Sequence, residues 1–379
     1  MVALTQEGRL IGITTPLGAD ELVLNGFSGT ESISRPFCFR VDMLSLNHNL
    51  KANDILGKTV DIRLTMSSGD IRYFNAYVSQ FVAGERRNGG YRSYQAELVP
   101  WFSLLRLYSD CKIFQALKAD EIIKAVFSAR GFSDFELQVS GQLKEREYTV
   151  QYRETDFQFI SRLMEEEGMF YFFKHEEGRH IMVIGDSTSV YGECVEGEAR
   201  YVEAADYDDR LNQWSNQASL VSGKWSQKDY NFETPSTDIF STVSTILDTP
   251  GIDKFEQYDY PGLYQKRAEG DVLTRIRMEE EEAHHNIVTS AGNYRSFFAG
   301  GKFTVSEHVM ESEQDKSYVI TSITHNIREK NYEMGMSGGF EYSNDFQCIP
   351  DSVSFRPPQV TRKPFVQGPQ TALVVGPSG

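Results

Sequence analysis

The sequence is poor in the features that mark several large classes of protein. No run approaches the ~20 consecutive apolar residues that a membrane-spanning helix needs. The N-terminus, MVALTQEGRLIGITTPLG, has no basic stretch leading into an apolar one, so a Sec-type leader is not expected. Only 4 cysteines occur, Cys38, Cys111, Cys194 and Cys348, far apart and without a CxxC pair. That spacing indicates neither a zinc site nor a disulfide framework, and reduced structural thiols in a cytoplasmic chain are the expectation. Positive charge is also short: 38 Lys and Arg stand against 54 Asp and Glu, a formal net charge of −16. Nucleic acid and anionic membrane surfaces are poor partners for such a chain, because both call for a basic protein surface.

Catalytic signatures are missing as well. There is no G-x-S-x-G nucleophile turn, no HExxH and no dinucleotide fingerprint after a strand. The Gly-rich stretch Gly84 to Gly90 lacks the lysine and hydroxyl residue of a P-loop and reads as a hairpin tip. No cofactor, metal or catalytic residue is therefore assigned.

What is present is β-rich. The chain is too long for one compact core, and its 25 Phe and 19 Tyr favour strands over helical bundles. Up to about residue 100, strands are expected at Leu10–Thr15, Leu22–Phe27, Phe37–Met43, Val60–Met66, Arg72–Ala83 and Tyr91–Val99. Asn88-Gly89-Gly90 turns between the last two, and Asp54–Lys58 forms a helical turn. Trp101–Leu107 reads as an apolar hinge, and a helix starts at Lys118-Ala119-Asp120 and closes at Gly131. Phe135–Val139 is a short strand.

Tyr148 to Ser187 then reads as strand, helix, strand, turn and strand. Thr155 or Asp156 caps the helix, Phe157, Ile160, Leu163 and Met164 line one face, and Gly168 ends it. Met169–Phe173 and His180–Gly185 form an aromatic hairpin. Thr188 to Asp209 is an acidic loop with one strand, and Gln213 to Phe232 returns to β structure. Pro235 to Pro250 reads as a linker or exposed meander, and Tyr264 to Ala291 as the longest helix. Phe297–Ser306, Ser317–Arg328 and Gly338–Ser343 are strands again. The order is β, then α+β, then β split by a helical insertion, followed by a Pro-rich arm from Ile349. Leu373 to Pro377 resembles the first strand of a further domain, so the sequence reads as cut at that point.

Two clusters invite a chemical reading. Glu165, Glu166 and Glu167 with Glu176 and Glu177 could supply the carboxylate pair of a cell-wall hydrolase. Adjacent glutamates fan out around a helix by ~100° each, so a solvated face is the plainer expectation. His284 and His285 follow Glu280 and Glu281 at i, i+4, a spacing that can hold a metal, but no third ligand is indicated. His175, His180, His308 and His325 are scattered among strands and read as polar sheet-face residues.

Several motifs together resemble one family. They are Ser34 to Asp42 (S-x-P-F-x-F), Gln151 to Gly168 (QYRETDFQFISRLMEEEG), Tyr258 to Gly262 (YDYPG), Phe355 to Pro358, and Gly368 to Ala372. In this order they resemble VgrG, the spike protein family of the bacterial type VI secretion system, itself similar to the hub and spike proteins of contractile phage tails. The resemblance implies an α+β, β-dominated fold with two β-barrel-like tube domains carrying α+β insertions. The expected units are a first tube domain over 1–100, an α+β insertion over 101–187, and a second tube domain over 188–348. The second is interrupted by a helical insertion around 236–295, and a Pro-rich linker over 349–379 leads into an OB-fold. It further implies a non-enzymatic homotrimer that stacks on the Hcp tube hexamer, meets sheath and baseplate components, and carries an effector or tip protein through a C-terminal needle. Such a protein is assembled in the cytoplasm and then translocated. The alternative implied is the baseplate hub of a contractile prophage tail. Arg153 and Asp156 are expected to hold the entry of the helix, a scaffold role.

Overall fold

The structure, a computed structural model, describes residues 5–87, 89–202, 209–329, 339–369, 371 and 376. The first β unit contains β1 (Ile11–Thr14), β2 (Val23–Ser32), β3 (Arg35–Ser45), β4 (Thr59–Thr65), β5 (Ile71–Arg86) and β6 (Arg92–Val99). Alternation decides which face is buried: Val60, Ile62 and Leu64 of β4 and Phe37, Phe39, Val41 and Met43 of β3 all point into one core. Gly89 and Gly90 take positive φ in the β5–β6 turn, while Asn88 lies outside the described residues.

The insertion begins with a short helix α1 (Trp101–Leu104), followed by β7 (Ser109–Leu117), α2 (Ala119–Ala129), β8 (Phe135–Gln138), β9 (Arg146–Thr155), α3 (Asp156–Glu166), β10 (Phe170–Glu176) and β11 (Arg179–Gly185). Trp101, Phe102, Leu105, Phe127, Phe159 and Leu163 join the same core as Phe37, Phe39 and Phe74. The hinge is thus a packed corner of the first unit.

The second β unit contains β12 (Gly192–Arg200), β13 (Leu211–Ala218), then a small layer of β14 (Lys224–Gln227), β15 (Ser241–Ser244), β16 (Glu256–Asp259) and α4 (Arg267–Ala283). It resumes with β17 (Asn286–Gly292), β18 (Gly301–Glu307), β19 (Ser317–Glu329) and β20 (Phe340–Pro350). Two expectations need correction here. The 235–250 stretch is not only a linker: Ser241–Ser244 pairs with β14 as a strand, and α4 packs on that small sheet. The long helix stops at Ala283, and Asn286–Gly292, rich in β-branched side chains, crosses back into the main sheet between β13 and β20.

The two β units share one sheet. Its pairing path runs β1-β4-β5-β6-β3-β2-β19-β20-β17-β13, with β18 joining β19 to β12. The units meet where β2 pairs antiparallel with β19 over Gly26 to Ser32 and Ser322 to Arg328. Side-chain rungs reinforce that seam: Thr30 to Thr324 at 2.9 Å and Ser32 to Ser322 at 2.8 Å.

A second core lies under the second unit, built on Phe297, Phe303, Tyr318, Ile320, Ile323 and Phe346. The aromatic strand β10 is the wall between the two cores. Tyr171 and Phe173 belong to the first core, while Phe170 and Phe172 belong to the second. β11 repeats the division with Met182 and Ile184 on one side and Val183 on the other. A hairpin apolar on both faces is what this position requires, and it explains why Phe170 to Phe173 is aromatic at every position.

Candidate functional site

The residues with the most chemistry in them converge on the seam between the units. Glu31 of β2 is 3% exposed. Its Oε1 accepts a hydrogen bond from His325 Nε2 of β19 at 2.9 Å and another from Arg72 Nη2 of β5 at 3.2 Å. Burial alone would raise the carboxyl pKa. The hydrogen bond from His325 and the charge of Arg72 outweigh it and hold Glu31 below its ordinary value. Burial lowers the pKa of His325 in turn. The pair is therefore a carboxylate beside a neutral imidazole, whose Nδ1 accepts from the Tyr342 hydroxyl at 2.9 Å. The countercharge to Glu31 is Arg72.

Arg72 also crosses to the second unit, donating from Nη1 to the carbonyls of Arg295 and Phe297 at 2.6 and 2.7 Å. Arg295 returns the contact, donating to the Thr65 carbonyl at 2.7 Å. A third arginine, Arg9, is paired with the buried Glu329 at 3.1 Å and also donates to the Leu24 carbonyl. Arginine suits such clasps because its planar fork serves several acceptors at once and keeps its charge.

The insertion enters the same cluster through two histidines. His175 Nδ1 donates to the Asn75 carbonyl at 3.1 Å, and its Nε2 faces Glu31 at 4.0 Å. His180 Nε2 accepts from the Trp101 amide at 2.8 Å, so its Nδ1 carries the proton and donates to Asn75 Oδ1 at 2.7 Å. Asn75 completes the chain by donating to Asp61 at 2.9 Å. Burial drives the His175 pKa down to about 4 and that of His180 well below its ordinary value. These histidines are not simply polar sheet-face residues. They are neutral hydrogen-bond connectors among three parts of the chain, packed against Phe37, Phe39 and Phe74. His308 lies apart, stacked on Tyr201.

The long signature at Gln151 to Gly168 is satisfied mostly by its own fold. Thr155 is the helix cap: its hydroxyl accepts from the Gln158 amide, and the Gln158 side chain returns to the Thr155 amide. Asp156, 1% exposed, accepts from Gln151 Nε2 at 2.7 Å and from Arg130 Nε at 2.6 Å. The expectation for Asp156 holds, but its arginine is Arg130 at the end of α2. Arg153 is exposed, with φ +50, and its guanidinium lies over the Tyr152 ring at 5.4 Å. Arg162 and Glu154 form a second buried pair at 2.7 Å, which the sequence reading missed.

The glutamate cluster is likewise occupied. Glu165 accepts from the amide and hydroxyl of Thr361 at 2.8 and 2.7 Å. Glu166 pairs with Arg146 and Lys363, Glu167 with Arg146, and Glu176 with Arg179. Glu166 and Glu167 thus share Arg146, while Glu165 and Glu176 turn to partners of their own. Of the other pair, His284 donates from Nδ1 to the Glu280 carbonyl and His285 donates from Nδ1 to the Ser219 carbonyl, and among the described residues no three metal-ligating side chains cluster. Cys194 and Cys348 are buried, while Cys38 and Cys111 are exposed, and all four are free thiols.

The Pro-rich arm after β20 does not project freely. Arg356 pairs with Glu279 of α4 at 2.7 Å and donates to the carbonyls of Gly168 and Asp186. Phe355 meets Phe170 edge-on, and Thr361 and Lys363 hold α3. The YDYPG element ends β16, with Tyr258 and Tyr260 exposed. Gln370, Ala372 to Val375 and Pro377 lie outside the described residues, so the strand expected at Leu373 to Pro377 has no structural description.

The chain thus has two β units joined in one sheet and clasped by arginines, with its motif residues used largely to hold the frame. The sequence profile of the family described as phage tail baseplate hub (GPD) matches residues 30–331. This chain belongs to that family. It is 36% identical over 387 residues to the type VI secretion system spike protein VgrG1b of Pseudomonas aeruginosa, spanning 100% of this chain and 51% of that protein. A second Pseudomonas aeruginosa spike protein, VgrG1a, is 36% identical over 382 residues, spanning 98% of this chain and 58% of its own length. The chain therefore spans about half the length of these relatives. Among solved structures, the hub is similar to the E. coli c3393 protein, described as a type VI secretion component with structural similarity to the T4 tail proteins gp27 and gp5. That match has a TM-score of 0.68 at 17% identity and covers 92% of this chain and 79% of the other. The β-dominated α+β hub fold and the VgrG resemblance both stand.

Proposed function

We propose that this hub forms the base of a type VI secretion spike, a non-catalytic homotrimer between the Hcp tube and a membrane-puncturing needle. The observation that carries the reading is the 36% identity to spike proteins along the whole chain. The seam supports it. A part that transmits thrust must not hinge between its halves, and here the halves share a sheet, a buried carboxylate–arginine clasp and an arm pinned across α3 and α4. Three copies in a ring would bury patch against different patch around the axis. On this reading the protein is assembled in the cytoplasm and leaves with the machine, carrying an effector or tip protein on the needle and meeting sheath and baseplate components on its outer side. On this reading the first tube domain spans 1–100, the insertion 101–187, the second tube domain 188–348 with its insertion around 236–295, and the linker 349–379. The prophage-hub reading shares the fold, and the whole-chain identity to secretion spikes favours the spike base over it. Light scattering should give the mass of a trimer, and Hcp rings added to it should co-sediment. A monomer at high concentration that ignores Hcp rings overturns the proposal.

A further inference from the structure

A cleft of about 610 Å³ opens where the first unit, the insertion, the second unit and the arm meet. Its volume is in the range of small-ligand and peptide sites. Its walls are apolar: Phe157, Met164 and Met169 on one side, Ile349, Phe355 and Pro357 on the other. Its polar lining is unusual. Ser161, 8% exposed, has a buried hydroxyl oxygen with no hydrogen-bond partner among the described residues, and so has Ser34 across the cleft. Buried hydroxyls rarely stay unpaired without a reason. Beside them stand the guanidinium groups of Arg35 and Arg106, both exposed. Among the described residues neither has a carboxylate partner, although the chain carries a large acidic surplus. Arg106 lies over the Phe157 ring at 4.2 Å, held in place while its donors stay available. Both arginines and Glu165 act electrostatically on the buried phenol of Tyr171, which puts these groups around one spot. Glu165 is already taken by Thr361.

We infer that this cleft is a binding site for an acidic peptide segment in extended conformation. Two unpaired guanidinium groups and two unpaired hydroxyls are donors for a carboxylate, and the apolar walls suit flanking side chains. The trough already accepts extended chain: the arm from Phe355 to Thr361 forms one wall, and Thr361 donates its amide and hydroxyl to Glu165. The second segment lies beside the arm, its carboxylate between Arg35 and Arg106 and hydrogen-bonded to Ser161 and Ser34.

The test uses the full chain and a fluorescein-labelled, end-blocked peptide, Gly-Leu-Asp-Phe-Glu-Leu-Gly, with its Asn/Gln counterpart as control. Fluorescence polarisation should show saturable binding of the acidic peptide, weakened about tenfold or more by the change to amides, as expected for lost charge-assisted bonds. The double variant Arg35→Gln, Arg106→Gln should lose the acidic preference, and Ser161→Ala should weaken binding without lowering the melting temperature. A charge-reversed variant, Arg35→Glu with Arg106→Glu, should prefer the Lys/Lys version of the peptide, which a misfolded protein would not do. No binding by the wild type, equal binding of acid and amide peptides, or an unaffected double variant overturns the inference. None of these results depends on trimer formation or Hcp binding, so this site and the spike-base reading fail separately.

Discussion

Acid should loosen the seam, and His175 should account for a defined share of the loss. The ring is buried among Phe37, Phe39 and Phe74, and burial holds its folded pKa at about 4, against the ordinary 6.5 of an exposed imidazole. Above 6.5 both folded and unfolded chains leave it neutral, and its contribution is fully present. Between 6.5 and about 4 the unfolded chain takes up a proton that the folded one refuses, so stability falls with pH. Below about 4 both are protonated and the slope ends, with about 3 kcal/mol lost in total. From pH 7.5 to pH 5.0 the share is about 2 kcal/mol. Urea unfolding followed by tryptophan fluorescence measures it, since Trp101 hydrogen-bonds to His180 in the same cluster. The comparison is with His175→Phe, whose ring fits the aromatic surroundings. That variant loses the bond to the Asn75 carbonyl, a cost that does not vary with pH. His180 and His325 are present in both proteins, so most of their contribution drops out of the difference, leaving the smaller charge effect of His175 on His180 and Glu31. The stability gap between wild type and variant should therefore shift by about 2 kcal/mol between the two pH values. If both proteins lose the same amount, His175 is not a buried neutral group and the account of the seam fails.

Other substitutions probe the rest of the frame. Asp156→Ala removes the acceptor of Arg130 and Gln151 and should cost about 2–3 kcal/mol in urea unfolding. Phe172→Ala opens the wall between the cores, where the side chain is fully buried, and should cost about 3–5 kcal/mol by the same measurement. Gly29→Ala would bring a methyl carbon within 2.5 Å of the Cys38 carbonyl oxygen and 2.7 Å of the Phe39 Cα, and should cost about 1–3 kcal/mol or abolish soluble expression. Arg356→Ala should release the arm, seen as faster tryptic cleavage after Arg362 with little change in the unfolding midpoint of the body.

Local pattern made much of the fold legible. All six strands of the first unit follow from alternation and turn residues, and α3 follows from its apolar spacing and the Thr155 cap. β15 did not, because Ser241–Ser244 has one apolar residue and becomes a strand only through β14 beside it and α4 above it. The end of α4 was hidden for a related reason. No glycine or proline marks it; His284 and His285 turn the chain using hydrogen bonds to distant carbonyls as well as local ones. The seam was the least legible part. Glu31, Arg72, His175 and His325 come from four strands, and no motif spacing connects them. Arg130 was missed as the partner of Asp156 because Arg153 is nearer in sequence, yet Arg153 turns outward in a left-handed conformation.

The strand pair that joins the units also sets a timetable. Ser32 and Ser322, partners across β2 and β19, are 290 residues apart. At ~5–20 residues per second, a ribosome takes roughly 15–60 s to deliver the second after the first. For that interval β2 has its β3 neighbour but an open edge on the other side, and an open edge can pair with the wrong chain. Neighbouring nascent chains on one messenger would offer each other such edges. Crowded translation should therefore lower the yield of this hub more than it lowers the yield of a protein whose sheet closes within one hairpin.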